Sequence, residues 1–160
     1  MGNNLTETER KFLVSSTDFK QQAFKKNRIV QGFLSTDPNR TVRIRINTNN
    51  AFITIKGRSN DSGMTRFEWE KEIGVDEAEA LLKLCLPGII EKIRHHVKTG
   101  NHIYEVDEFL NDNEGLIIAE IELKTEEEEF ELPAWLGEEV TGQVKYYNSQ
   151  LSQNPYKSWE

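Results

Sequence analysis

The sequence predicts a mainly β fold with flanking helices, of the α+β class, built on an eight-stranded antiparallel closed β-barrel with a charged interior. Three observations predict it. Eight segments alternate in character along the chain, turn-forming residues separate several of them, and the charged residues of nearly every segment share one side. The segments are Glu7 to Val14, Arg28 to Ser35, Thr41 to Ile46, Ala51 to Lys56, Arg66 to Ile73, Ile89 to Val97, His102 to Phe109 and Leu116 to Lys124. Asp37-Pro38-Asn39, Asn47 to Asn50, Ser59 to Gly63, Lys98 to Asn101 and Asn111 to Gly115 supply the turns, and turns this short join antiparallel neighbours.

Alternate residues of a strand face opposite sides, so parity sorts the charges before any fold is assumed. Glu7, Glu9 and Lys11 share a face, and Arg43 and Arg45 lie opposite Val42, Ile44 and Ile46. Lys56 follows Thr54 against Ile53 and Ile55, while Glu68 and Glu70 lie with Arg66 opposite Phe67 and Trp69. Lys92 and Arg94 flank Ile93, and Glu105 and Asp107 flank Val106. Glu120 and Glu122 oppose Ile117, Ala119, Ile121 and Leu123. Parity alone also fits an ordinary sheet with one solvated face. Two details favour turning the charges inward. Like charges sit together, which on a merely solvated face costs stability, and eight strands enclose an interior wide enough for one small ligand. Cations would then neutralise the carboxylates, and a polyanion the Lys and Arg side chains. Two like charges ~4 Å apart repel by roughly 4 kcal/mol at an effective dielectric near ~20, so an uncompensated cluster would be costly.

The apolar faces of such a barrel point outward and need covering. Three helices are predicted for this: Asp18 to Lys25, Asp76 to Leu86, and Glu138 to Leu151. The middle one has Asp76 and Glu79 as a capping arrangement, an apolar stripe of Ala78, Leu81, Leu82 and Cys85, and Pro87-Gly88 as its stop. The run Glu126 to Glu129 reads as a solvated connection. Trp135 and Trp159 read as packing residues, and His95, His96 and His102 as strand or loop residues without metal-ligand spacing.

Composition narrows the function classes. At 160 residues the chain fits one domain, taken here as residues 1–160. A formal net charge of −7 repels a nucleic-acid backbone or an anionic membrane, so neither is expected as a partner and any phosphate site must be local. Cys85 is the sole cysteine, read as a core residue, and with no apolar run of signal or bilayer length the expected compartment is the cytoplasm. Met1-Gly2 with Thr6 matches a short myristoylation pattern, but the segment is acidic and lacks a second membrane signal. No catalytic triad and no phosphate-binding glycine loop is visible.

Glu7-Thr8-Glu9-Arg10-Lys11 resembles the Glu-x-Glu-x-Lys signature of the CYTH superfamily, the triphosphate tunnel metalloenzymes. The likeness continues in order through Gln31-Gly32, Leu34-Ser35, Val42-Arg43-Ile44-Arg45, Thr54-Ile55-Lys56-Gly57 and Arg66-Phe67-Glu68. It runs on through Lys92-Ile93-Arg94, Glu105-Val106-Asp107-Glu108-Phe109, and Gly115-Leu116 with Ala119-Glu120-Ile121-Glu122-Leu123. Tyr104 departs from it, standing where relatives often have Trp.

The resemblance implies that Glu7, Glu9, Glu120 and Glu122 coordinate Mg²⁺ or Mn²⁺, with Glu68 and Asp107 as further ligands or water-mediated partners. It implies that Lys11, Arg43, Arg45, Lys56, Lys92 and Arg94 hold the triphosphate, and that Glu7, Glu9, Lys11, Glu120 and Glu122 carry the catalysis. The activity expected from it is metal-dependent hydrolysis of tripolyphosphate to pyrophosphate and orthophosphate. An adenylate cyclase or a thiamine triphosphatase, acting on a nucleoside or thiamine triphosphate, fits the same resemblance. So do a non-catalytic polyphosphate-binding module and a homodimer.

Overall fold

A computed structural model describes residues 5–159, and the Met1-Gly2 acylation pattern lies outside the described residues. In chain order the elements are β1 (Thr6–Val14), α1 (Phe19–Gln22), β2 (Lys25–Ser35), β3 (Thr41–Asn47), β4 (Asn50–Lys56), β5 (Thr65–Ile73), α2 (Val75–Leu82), β6 (Ile90–Thr99), β7 (His102–Phe109), β8 (Ile117–Glu122), β9 (Leu136–Glu139) and α3 (Asn148–Leu151). The sheet order is β5-β4-β3-β2-β6-β7-β8-β1-β9, and β5 also pairs with β1. The first eight strands therefore close into an antiparallel barrel, and each of the eight predicted segments forms one of them.

The closing seam has an arrangement that parity did not foretell. One edge of β1 pairs with β8 over Glu9 to Leu13. The other edge pairs with β5 over Thr6 to Thr8, and farther along with β9 at Phe12 and Val14. The Glu9 N–H on this edge donates to the Met64 carbonyl of the β4–β5 connection at 2.9 Å. The strand β9 supplies the backbone partners that β1 would otherwise lack, as an exposed strand edge requires.

Two of the three helices differ from expectation. Only Phe19–Gln22 is helical near Asp18, and Lys25 already belongs to β2, pairing with His96. The segment from Glu138 to Leu151 is not a helix: β9 ends at Glu139, and α3 covers only four residues. Backbone pairing to β1 overrides the helical spacing of Val140, Val144 and Leu151. The helix α2 forms, but it starts at Val75 and its cap is Gly74, whose N–H donates to Glu77 Oε1 at 2.9 Å, in place of Asp76 and Glu79.

Three apolar clusters hold the barrel. The helix α2 covers an outer patch of β3 and β4 at Ile44 and Ala51, with Ala78 buried and Cys85 half-buried beside it. A second outer patch on β1, β6, β7 and β8 includes Phe12, Val97, Val106 and Ile121. It is covered mainly by the non-helical strap between β8 and β9, through Phe130 and Trp135, together with Phe19. Trp135 is 1% exposed and donates its indole N–H to Gln22, while the Tyr104 hydroxyl donates to the Glu131 carbonyl at 2.8 Å. The charge run lies in this strap and is only partly solvated. Glu126 accepts from Asn60 and Thr65, and Glu128 lies 2.7 Å from His102 Nε2.

The third cluster lies inside the barrel and closes one end. Phe33, Ile90, Phe109 and Ile118, on the same strand faces as the charged residues, pack with Val140, Tyr146 and Leu151 of the C-terminal segment. Trp159 stacks edge-on against Tyr146 and Tyr156. Gly88, at φ 101, approaches Ser152 so closely that an added Cβ would lie 1.9 Å from its carbonyl oxygen, which fixes the C-terminal segment against the α2–β6 connection.

Leu151→Ala should destabilise the protein by about 2–5 kcal/mol, because Leu151 is fully buried in that end cluster. Leu132→Ala, at a side chain 68% exposed, should change stability by no more than about 0.5 kcal/mol. Urea denaturation of both variants measures the contrast, and equal effects would show that the C-terminal segment does not stabilise the barrel.

Candidate functional site

The strand faces that parity grouped together line one cavity of about 250 Å³. The strand β1 contributes Glu7, Glu9 and Lys11, and β8 contributes Glu120 and Glu122. Arg43 and Arg45 enter from β3, and Lys56 from β4. Arg66, Glu68 and Glu70 come from β5, Lys92 and Arg94 from β6, and Glu105 from β7. Among the described residues that makes seven carboxyl groups and seven cationic groups in the wall. The inward reading of the charges therefore holds, and every predicted site residue except Asp107 reaches the cavity wall.

Asp107 is 1% exposed and bound on two sides. Arg94 holds it in a two-bonded fork at 2.8 and 2.9 Å, and Lys92 Nζ lies 2.8 Å away. Burial alone would raise its pKa, but Arg94 and Lys92 outweigh burial and bring it to about 2. Its partners feel the pair differently. Burial pulls Lys92 down to about 8 against the attraction of Asp107, whereas for Arg94 the attraction of Asp107 and Glu105 prevails and raises it.

The four carboxylates of β1 and β8 divide into two kinds. Glu7 accepts from Lys56 Nζ at 2.8 Å and Arg66 Nε at 3.1 Å, and these cations overcome burial to bring it to about 2. Glu120 accepts from Lys11 Nζ at 2.7 Å, and Lys11, Arg94 and Lys92 overcome burial to hold it well below its ordinary value. Glu9 and Glu122 face each other in the β1–β8 register, and among the described residues neither carboxylate has an ion-pair partner. Burial together with Glu120 and Glu7 pushes Glu9 up to about 8, and burial with Glu7 and Glu105 raises Glu122. Glu68, 3.7 Å from Lys56, is also raised, by burial and by Glu7.

The cationic side has a matching deficiency. The Nε atoms of Arg43 and Arg45 are buried without a hydrogen-bond partner, although both guanidinium groups approach Glu70 at 3.5 and 3.6 Å. Burial, Arg43 and Arg94 all disfavour the charge on Arg45. Buried donors without partners are costly, and here they border a cavity that a polyanion could enter.

Two groups of wall residues, and Thr54, lie outside the sequence-derived site set. Arg66, Glu70 and Glu105 share strand faces with chosen residues, so parity already marked them. Tyr147, Asn148 and Ser149 come from the C-terminal segment, where no strand period signals them. The Tyr147 ring lies 5.7 Å from Lys11 Nζ and 5.4 Å from the Arg66 guanidinium, within cation–π range. Thr54 Oγ1 bonds Glu70 at 2.7 Å and fixes the carboxylate beside the two arginines.

Among the described residues no three acidic, histidine or cysteine side chains are drawn together as a metal cage. Glu7 and Glu120 are turned to lysines and Glu9 and Glu122 are not. An entering divalent cation would find hard oxygen donors on both strands, two of them unpaired and held at raised pKa by burial and by neighbouring carboxylates, a donor set that suits Mg²⁺ or Mn²⁺.

The comparisons agree with this geometry. An inorganic triphosphatase of Acetivibrio thermocellus is 44% identical over 155 residues, spanning 96% of this chain and 97% of that protein. An inorganic triphosphatase of Nitrosomonas europaea is 31% identical over 153 residues, spanning 92% and 97%. A crystal structure of an inorganic triphosphatase superposes with a TM-score of 0.65 at 30% identity, covering 91% of this chain and 97% of that one. The CYTH domain model matches residues 5–153, so a closed barrel lined with paired charges is here the work of a chain that belongs to the CYTH domain family.

Proposed function

We propose that this chain hydrolyses a triphosphate inside its barrel, with inorganic tripolyphosphate as the substrate and Mg²⁺ or Mn²⁺ as the metal. The observation that carries the reading is the juxtaposition of unpartnered Arg43 and Arg45 Nε donors with the unpaired Glu9 and Glu122 carboxylates in one cavity. The names of the two curated relatives support it.

Charge balance explains why substrate and metal belong together. Seven carboxyl groups, with Glu9 protonated, set against seven cations leave far too little positive charge to receive a pentaanion alone. A polyphosphate accompanied by divalent cations keeps the lumen near neutrality. Glu7, Glu9, Glu120 and Glu122 would hold the metal, with Glu68 at the edge of the set. The bound metal supplies charge neutralisation at the phosphoryl oxygens and acidifies a coordinated water. Lys11, Arg43, Arg45, Lys56, Lys92 and Arg94 would hold the phosphate oxygens, the arginines through forked donors and the lysines as point charges. Asp107 then keeps Lys92 and Arg94 in place. Among the described residues Phe33 and Tyr147 are the only aromatic side chains in the cavity wall, and Phe33 is 4% exposed, which favours an inorganic chain over a base or thiazolium ring.

The chain is read as one functional unit. No helix among the described residues is long and apolar enough to cross a membrane, and the lone Cys85 suits the cytoplasm. A homodimer is part of the proposal, and sedimentation at working concentration tests it.

With tripolyphosphate, ATP and thiamine triphosphate offered in turn, tripolyphosphate should be turned over fastest, and chelator should abolish the activity. Cyclic AMP with pyrophosphate from ATP would identify a cyclase, and tight tripolyphosphate binding without turnover a binding module. Glu120→Gln should lower turnover roughly 100-fold and raise the metal concentration required, without rescue by more substrate. Arg43→Ala should mainly raise KM, by about 10-fold or more. Steady-state kinetics over a grid of metal and substrate concentrations separates the two.

Glu9 generates a stability prediction with a definite sign. Its folded pKa of about 8 exceeds the ordinary 4.5, so between those values the folded protein holds a proton that the unfolded chain has lost. Stability therefore falls as pH rises through that window. In metal-free buffer Glu9→Gln should melt no higher than the parent near pH 4.5 and roughly 3 °C or more higher at pH 8.5, since about 1 kcal/mol moves the midpoint of such a chain by roughly 2–4 °C. Melting curves across pH measure this, and a constant difference would mean that Glu9 is not the strained carboxylate.

A further inference from the structure

We propose that Asn148 is a positioning residue of this site, acting through Lys92. The inference rests on the reading of the lumen as a triphosphate site. Asn148 begins α3 in the C-terminal segment, outside every strand, yet it lines the cavity. Its Oδ1 accepts from Lys92 Nζ at 2.8 Å and from Gln31 Nε2 at 2.8 Å. An ammonium offers only donors, so Oδ1 must be the atom that faces it, and the orientation of the carboxamide is set by chemistry.

Gln31 is fully buried on β2 and Lys92 is 2% exposed on the neighbouring β6. Gln31 braces Asn148 at the expense of its own Oε1, which is buried without a partner. A buried acceptor left orphaned is costly, and the brace that orphans it has a structural consequence: it locks the acceptor that holds Lys92. Without Asn148 the ammonium would keep Asp107, at 2.8 Å, as its sole oxygen partner among the described residues, and would be drawn toward that carboxylate, already held in a fork by Arg94. Asn148 pulls Lys92 from a second direction with a neutral group. This adds a hydrogen bond without adding negative charge to a cavity that must receive phosphate. The Asn148 Nδ2 group makes no hydrogen bond among the described residues, so the hold of the carboxamide on its neighbours runs through Oδ1.

The test is a double-mutant cycle with Asn148→Leu, which keeps the volume and removes the acceptor, and Lys92→Met. On tripolyphosphate with saturating metal, Asn148→Leu alone should lower kcat/KM roughly 10-fold or more, the loss expected for a hydrogen bond to a charged group. In the Lys92→Met background the same substitution should cost less than about 3-fold, because the group it positions is gone. Additive losses would overturn the proposal and assign Asn148 to packing of the C-terminal segment. If Asn148→Leu fails to fold in a melting experiment, Asn148→Ala completes the same cycle. If the parent protein neither binds nor hydrolyses tripolyphosphate, the reading of the site falls and the inference with it. A parent that works with an additive cycle overturns the inference alone.

Discussion

Charge enclosed by a closed sheet has to be compensated by other charge, and that requirement shapes most of this molecule. A solvated sheet face leaves compensation to water, whereas this lumen places lysine and arginine within reach of carboxylates on other strands. Lys11 to Glu120, and Asp107 to Lys92 and Arg94, tie neighbouring strands together on the inner face, and Glu7 to Lys56 links the two strands that flank β5. Breaking one partner of such a pair leaves a buried charge and is far more costly than the pair is favourable. The incomplete part of the compensation defines the site: Glu9 and Glu122 without cations, Arg43 and Arg45 with unused donors.

The same requirement explains the placement of apolar material. With charge inside, the apolar strand faces point outward, and an outward apolar face needs a cover. The chain provides α2 for one patch and, for the other, a strap bearing four consecutive glutamates. Phe130 and Trp135 anchor that strap below while Glu127 and Glu129 remain exposed. The lumen itself reverts to apolar packing only at its closed end, where Phe33, Ile90, Phe109 and Ile118 meet the C-terminal segment.

Strand faces were legible in the sequence because a period of two survives in any antiparallel sheet, whatever the sheet packs against. Arg43 with Arg45 and Glu120 with Glu122 could be placed on common faces without knowing their neighbours. The register between strands was not legible, so nothing indicated that Glu9 would meet Glu122, or that Asp107 would be claimed by Arg94. The segment Glu138 to Leu151 misled for a related reason. Its apolar spacing suits a helix in isolation, but the β1 edge beyond Thr8 offers backbone partners that a helix cannot use. Asn148 follows from that error, since a residue outside any strand has no parity to betray the cavity.

The position of the closed end along the chain carries a consequence for biosynthesis. Lys11 and Glu120 are 109 residues apart, and the seam and end wall are completed by residues beyond 135. A nascent chain on the ribosome can form the β3–β4 and β6–β7 hairpins early, but the contacts that shut the barrel join the first strand to β5 and to β8 and β9 in the last third of the polypeptide. Closure is therefore governed by long-range pairing, the slow kind, and the charged faces stay in water until then. Hydration keeps those half-formed sheets soluble on one side while they wait. The polar lining that later serves a ligand thus first serves the unfinished chain as its solvent-compatible surface.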